Sequence, residues 1–140
     1  GVIRPGGQFI FTMNLDGTMR EFYDALKVIL DKQGRAELIA KIDDHISHKR
    51  PSMEKMEVLL MQSGFRYKKS ISRFVMKFAD AMDIREHFLI KIGFMDSWRE
   101  LLPEHEAESI LYDTFFLMNI NGVEDGVKLT VPWVVYSCNQ

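Results

Sequence analysis

Three segments of this chain carry the residue pattern of β-strands, and long stretches with helical periodicity separate them. Residues 8–13 include the apolar run Phe9-Ile10-Phe11, and residues 127–138 are rich in Val, Thr, Trp and Tyr. Between them, residues 65–79 begin with Phe65 and Tyr67, continue with a polar stretch, and end in an alternating pattern of side chains over residues 74–79. This pattern predicts two short strands or one strand broken near Ser70. The order of strand, helices, strand, helices, strand predicts one α/β domain over residues 1–140.

The stretches between the strands have one apolar face each. Apolar residues recur at helical intervals over residues 22–30, where Asp16 or Thr18 is placed to cap the helix, and again over residues 36–43. Residues 45–52 are predicted to form a polar connector. Ser52 is then a good N-cap for a third helix, and Gly64 suits the left-handed residue that follows its end.

The second group of helices precedes the last strand. Residues 80–92 are predicted to be helical and Gly93 closes them, while a longer helix is expected over about residues 104–118. Pro132 lies inside the last strand and predicts a bulge or a missing ladder bond there.

Composition excludes several classes of protein. The 140 residues are 46% hydrophobic and 27% charged, with a net charge of −2, so electrostatics gives no reason to expect nucleic acid or an anionic membrane as partner. No run approaches the length of a transmembrane helix. The single cysteine, Cys138, excludes an internal disulfide and a zinc knuckle, and it fits a reducing, cytoplasmic location.

Established catalytic motifs are absent from the sequence. It contains no H-E-x-x-H, G-x-S-x-G, Walker or G-x-G-x-x-G pattern, so no catalytic residue is identified. His45 and His48 could begin a metal site, but further ligands are not evident, and we expect no metal. The alternatives for His48 and Arg50 are a solvated connector or contact with a substrate. Cys138 is expected to be a small core or edge residue.

Two short motifs resemble those of class I, Rossmann-like S-adenosylmethionine-dependent methyltransferases. Residues 2–11, VIRPGGQFIF, are similar to the family segment that leads into the fifth strand of a seven-stranded sheet. Residues 63–67, SGFRY, resemble the family signature in which a helix ends at glycine and the sixth strand begins. Residues 127–138 would then be the seventh strand, which in the family is antiparallel and lies between strands five and six.

The resemblance implies a fold class for this chain and a role for the residues before the last strand. The fold class would be α/β, with a small mixed sheet made of the last three strands, helices packed on it, and a helical insertion over residues 80–125. That insertion is expected to be a lid, or equally a packing or dimerisation layer. The chain does not begin with Met, which suggests that something preceded it.

The cofactor is expected to belong to the parent enzyme alone. The family binds S-adenosylmethionine in the first half of its sheet, through a glycine-rich loop after strand one, an acidic residue that closes strand two, and contacts after strands three and four. This sequence contains none of these segments. The chain would therefore be a C-terminal portion that binds no cofactor by itself and is inactive alone. A small-molecule methyl acceptor is the expected partner.

Position alone selects the candidate substrate-binding residues. In open α/β sheets, ligands lie beyond the carboxyl ends of the parallel strands, which indicates Thr12, Asn14 and Asp16 after the first strand. His48 and Arg50 in the connector and Trp98 in the insertion complete the candidate set, which is Thr12, Asn14, Asp16, His48, Arg50 and Trp98.

The alternative to a methyltransferase portion is a non-catalytic binding or dimerisation module derived from the same fold. A fifth strand without its fourth neighbour has a bare edge of backbone donors and acceptors. Either the missing N-terminal half or self-association through the first strand should cover that edge. We therefore expect a homodimer or a larger assembly.

Overall fold

The computed structural model describes residues 7–49, 52–122 and 124–140. The motif residues 2–6 and the candidate Arg50 lie outside the described residues. The elements in chain order are β1 (Gln8–Asn14), α1 (Arg20–Lys32), α2 (Ala36–Lys49), α3 (Met53–Gln62), β2 (Arg66–Phe78), a 3-10 helix η1 (Ala81–Glu86), α4 (Phe88–Gly93), α5 (Met95–Glu100), α6 (Ala107–Asn121) and β3 (Val127–Asn139).

The last strand is the centre of a three-stranded sheet. β3 lies between β1 and β2 and is antiparallel to both. The α/β class, the small sheet and the antiparallel last strand are as predicted. The expectation of a mixed sheet was wrong for the described residues, because β1 and β2 run in the same direction but do not pair with each other.

The two ladders differ in length. β2 pairs with β3 residue for residue from Arg66↔Asn139 to Phe78↔Val127, whereas β1 pairs only from Gln8↔Asn139 to Asn14↔Trp133. The half of the β2–β3 ribbon that begins at Val127 therefore extends beyond the end of β1. The predicted break near Ser70 is absent, because every residue of β2 has a partner in β3.

Two apolar cores lie on opposite faces of this ribbon. The large core includes Val127 and Leu129 together with buried residues of α1, α2, η1 and α4–α6. The small core includes Val134 and Tyr136 together with residues of α3 and β1. Side chains alternate between faces along a strand, so the odd-numbered and even-numbered residues of β3 point to opposite sides. Each face is thus covered by helices over only half of its length.

An aromatic stack forms the centre of the large core. The rings of Phe22 on α1 and Trp98 on α5 are stacked with centroids 3.7 Å apart, and Phe115 on α6 lies 5.9 Å from Phe22. The indole N–H of Trp98 donates a hydrogen bond to the Tyr23 hydroxyl at 3.2 Å. The segment expected to be an insertion is therefore packed into the same core as α1.

Pro132 terminates the pairing of β1 with β3. Leu15 N–H donates to the Pro132 carbonyl at 2.9 Å, but proline has no N–H with which to return the bond. The Leu15 carbonyl instead accepts from the Thr18 hydroxyl at 2.6 Å and the Thr18 N–H at 3.3 Å. The missing ladder bond is as predicted, and the chain turns away there without a bulge in the β2–β3 ladder.

Beyond the end of β1, residues at the beginning of α1 form the hydrogen bonds to the edge of β3. Met19 N–H donates to the Thr130 carbonyl at 2.7 Å, and the Glu21 carboxylate accepts from the Thr130 N–H at 2.8 Å and from its hydroxyl at 2.5 Å. Met19 is the N-cap residue, with φ 58°, and no side chain caps the helix. The prediction that Asp16 or Thr18 caps α1 was therefore wrong, because Thr18 is engaged in the preceding turn.

Other helix boundaries also differ from the predictions. Residues 45–49 continue α2, so the connector is shorter than expected. Residues 80–92 divide into η1 and α4 at His87, which has an extended backbone, and α6 begins at Ala107 after Pro103. The Ser52 cap is confirmed, since its hydroxyl accepts from Lys55 N–H at 3.2 Å. Gly64 has the expected left-handed φ of 82°.

Truncation of Phe22 should destabilise the fold far more than truncation of an exposed phenylalanine. Phe22 is fully buried, so we expect Phe22→Ala to lower the free energy of unfolding by about 3–5 kcal/mol. Phe88 is 71% exposed, and Phe88→Ala should change that free energy by no more than about 0.5 kcal/mol. Urea denaturation followed by circular dichroism measures both; equal effects would contradict the stacked core.

Removal of Glu21 should also destabilise, because it leaves a buried backbone donor without a partner. Glu21→Ala is expected to cost about 1–3 kcal/mol of unfolding free energy. Asp24→Ala, one turn away and exposed, is the matched control and should be close to neutral. The same denaturation experiment compares them, and an unchanged Glu21→Ala protein would show that the carboxylate does not complete the β3 edge.

Candidate ligand cleft at the end of β1

A cleft of about 500 Å³ opens where β1 ends, beside the beginning of α3. It lies at the carboxyl end of the first strand, which is where open α/β sheets place their ligands. Its lining combines the turn after β1, the first turns of α3 and one residue of β2. The lining residues are Leu15, Asp16, Ser52, Met53, Glu54, Glu57 and Lys69.

Local sequence determines how α3 contributes to the cleft. The Ser52 cap starts the helix, and Leu60 on its inner face is buried in the small core. At the other end, Gly64 N–H donates to the Met61 carbonyl at 3.1 Å and Phe65 N–H to the Leu60 carbonyl at 2.9 Å. This pair of bonds is a Schellman ending, which requires the left-handed glycine and directs the chain into β2.

Lys69 points into the cleft from β2. Its Nζ donates to Glu57 Oε1 on α3 at 2.5 Å, and this hydrogen bond is the main cause of a raised pKa for the lysine. The Glu57 side chain is only 14% exposed, so the lysine neutralises a largely buried carboxylate. Asp16 and Glu54 remain as acceptors, and the cleft therefore suits a ligand with hydroxyl or amine donors.

Tyr136 lies beneath this ion pair. It faces Lys69 across the β2–β3 ladder and Phe11 across the β1–β3 ladder, with the Phe11 ring stacked at 5.1 Å. Its hydroxyl is buried and has no hydrogen-bond partner among the described residues. Burial raises the pKa of Tyr136, so the group stays protonated over the physiological range.

The structure separates Thr12 and Asn14, which lie on β1, from Asp16, which lies in the turn after it. Asp16 lines the cleft. Thr12 and Asn14 are exposed, and they point to the opposite face of the sheet from Phe11 and Met13, which pack under α3. Asp16 lies beyond the strand, in the turn that follows it, and it alone of the three lines the cleft. A substrate-binding role for Thr12 and Asn14 stays a prediction.

The remaining candidates lie away from the cleft. His48 is on the last turn of α2 and exposed, and its Nδ1 is 2.8 Å from the Asp44 carbonyl oxygen. Trp98 is fully buried in the large core and presents no surface to a ligand. Cys138 is buried in the small core, as expected, and burial raises its pKa.

Sequence reasoning missed Lys69 and Glu57. Tyr67 and Lys69 share the phase of the inward side chains of β2, so the alternation could have indicated a lysine on the covered face. The polar run from Lys68 to Ser70 suggested a break in the strand instead. Glu57 carried no signal of its own, because its partner lies on a different element.

A second cleft, of about 550 Å³, lies between α1 and the beginning of β3. Its lining includes four carboxylate residues and four apolar ones, which are Glu21, Asp24, Glu124 and Asp125, and Ala25, Val28, Met118 and Val127. Within residues 7–49, 52–122 and 124–140, no three His, Cys, Asp or Glu side chains are close enough together to hold a metal ion. In the same residues, no helix combines the length and the apolar character that crossing a bilayer requires.

Neither a scan against protein-family models nor a search of curated proteins found a match to this chain.

The buried tyrosine predicts a particular response to alkali. An unfolded tyrosine loses its proton near pH 10.0, whereas the folded Tyr136 retains it to higher pH. The folded state then binds more protons than the unfolded state, so the free energy of unfolding falls as the pH rises through 10. Urea denaturation at a series of pH values should show this loss.

Tyr136→Phe tests the same group. Because the hydroxyl has no partner among the described residues, its removal should be neutral or stabilising at pH 7 and should weaken the alkaline loss. Tyr112→Phe, at an exposed position on α6, is the control and should leave the pH dependence unchanged. A strongly destabilised Tyr136→Phe protein would mean that the hydroxyl has a partner.

Proposed function

We propose that this chain is the acceptor-side portion of a class I S-adenosylmethionine-dependent methyltransferase. The observation that carries the proposal is the position of β3, which is antiparallel and lies between β1 and β2. The motif resemblance implies this arrangement for the last three strands of the family sheet. An antiparallel last strand between two strands of common direction is a specific topology. The helical segment between β2 and β3 departs from the tight hairpin that joins these strands in short members of the family.

The second motif supports the proposal through its local structure. Residues 63–67 were expected to end a helix at glycine and to begin a strand. Gly64 closes α3 in the left-handed conformation, and β2 begins at Arg66. Of the first motif, Gly7 and β1 are described, and β1 takes the place of the fifth strand in the proposal.

The proposed role of this chain is to position the acceptor. Methyl transfer is an in-line displacement, so catalysis rests mainly on orientation and on exclusion of water. Asp16 is exposed at the cleft and can accept a hydrogen bond from the hydroxyl or amine that receives the methyl group. Lys69 holds Glu57 and so keeps the wall of the cleft in place.

The cofactor would be held by another part of the parent protein. In the part of the chain that the structure describes, no glycine-rich loop follows a strand, and we assign none of the chain's residues to S-adenosylmethionine. A cofactor-binding half would lie along the outer edge of β1, where the family has its fourth strand. The cofactor supplies an activated methyl group, and the residues described here would present the nucleophile to it.

Asp16→Asn in the parent protein tests the acceptor role. Loss of a charged hydrogen-bond acceptor, worth about 1.5–3 kcal/mol, should lower kcat/KM about tenfold to a hundredfold. Transfer of a labelled methyl group from S-adenosylmethionine measures this, and Asp31→Asn on α1 is the exposed control. Unaltered kcat/KM in Asp16→Asn would remove this residue from the mechanism.

Calorimetric titration of the 140-residue chain with S-adenosylmethionine complements that assay. The proposal expects no binding, and tight binding would show that the cofactor contacts had been placed on the wrong half. Absence of methyl transfer by the parent protein would instead favour the non-catalytic module. The uncharged edge of β1 is the feature that favours this second candidate.

A further inference from the structure

The sheet has two outer edges of very different character. β2 carries five cationic residues along its length, which are Arg66, Lys68, Lys69, Arg73 and Lys77. β1, with the sequence QFIFTMN, carries no charged residue and no proline. Charges and prolines are the usual means by which edge strands avoid pairing with other chains, so β2 is protected and β1 is not.

Hydrogen bonding shows which groups of β1 face outward. Leu15 N–H reaches Pro132 on β3, so the odd-numbered residues of β1 direct their backbone groups toward β3. The N–H and C=O groups of Ile10, Thr12 and Asn14 therefore point to the open edge. Among the described residues, no other strand pairs with them.

Apolar side chains flank this edge on both faces of the sheet. Ile10 is 66% exposed on the uncovered face. On the other face, Glu57 of α3 contacts Lys69 on β2, and Leu59 lies two residues further, about 200° around the helix. Leu59 therefore lies on the side of α3 toward β1, and it is 56% exposed.

We propose that the outer edge of β1, where no other strand occupies it, binds the β1 of a second copy of this chain, in antiparallel register about Phe11. A two-fold axis there pairs Ile10 with Thr12 of the partner, and each such pair exchanges two backbone hydrogen bonds. Phe11 lies opposite its own copy, and Phe9 lies opposite Met13 on the same face. The pairing is self-complementary, as a closed two-fold dimer requires.

Charge favours the pairing of two β1 edges over the pairing of two β2 edges. Two β2 edges would place five cations against five, whereas two β1 edges meet with no charge at all. The result is a continuous six-stranded sheet with both cationic strands at its outer edges. Its new edges are protected, so the assembly stops at the dimer.

Sedimentation velocity of the 140-residue chain over a range of concentrations tests the proposal. Pairing through a seven-residue strand and its flanking side chains should bury less surface than the about 1,200–2,000 Å² of a standard interface. The dimer should therefore dissociate on dilution. A monomer at every concentration would overturn the proposal.

Two lysine variants locate the interface. Thr12, Val135 and Ser70 form one row across the three strands, with Thr12 at the β1 edge and Ser70 at the β2 edge. Thr12→Lys places a charge beside the two-fold axis and should give a monomer, whereas Ser70→Lys should remain a dimer. Dimers that persist in Thr12→Lys, or that are lost only in Ser70→Lys, would rule out the β1 edge.

Cysteine trapping tests the register. Phe11→Cys brings two thiols together at the axis and should form a disulfide-linked dimer on mild oxidation. The two Phe11 residues oppose each other without backbone hydrogen bonds, and the Cα atoms of such pairs are about 4.5 Å apart, within the range that a disulfide spans. Gln8→Cys lies opposite Asn14 of the partner and should not. A Gln8→Cys crosslink would contradict the register, and this result does not depend on any methyltransferase activity.

Discussion

The long ladder between β2 and β3 is the constraint on which the rest of the structure depends. It joins two 13-residue strands without an interruption, although 48 residues separate Phe78 from Val127 in sequence. Because the ribbon extends beyond β1, it offers two half-faces to the helices. The large core occupies one half and the small core occupies the opposite face of the other half.

The end of β1 decides where these halves meet. Pro132 cannot return a hydrogen bond to Leu15, so the chain leaves β3 there and begins α1. Glu21 and Met19 then satisfy the Thr130 backbone that a continuing strand would have paired. One residue without an N–H thereby separates the three-stranded part of the sheet from the part that supports the helices.

The fold was predictable where local patterns and tertiary packing agree. The three strands, the Ser52 cap and the Gly64 ending follow from residue types within a few positions of each other. Sequence could not show that Trp98 stacks on Phe22, since two faces of different helices decide that contact. The sequence also does not indicate that Lys69 pairs with Glu57, because the two residues lie on different elements. Without that partner, the polar residues around Lys69 predict a break in the strand.

The candidate site was predictable in position but not in composition. The rule that ligands lie beyond the carboxyl ends of strands indicated the region after β1, and Asp16 lines a cleft there. The same rule also selected Thr12 and Asn14, which the strand alternation turns to the other face. A rule about an edge of the sheet does not specify a face, and only the packing of α3 does so.

The edge of β1 links the proposed assembly to the proposed activity. β1 ends at the cleft, so any strand that pairs with its open edge also determines what lies beside Asp16. An antiparallel copy would bring its Gln8 next to Asn14, whereas a parallel strand would bring its carboxyl end there. In the proposed methyltransferase, the strand of the cofactor-binding half would run parallel to β1, and one edge accommodates a single strand. Self-association and completion of a methyltransferase sheet therefore exclude each other in the same molecule.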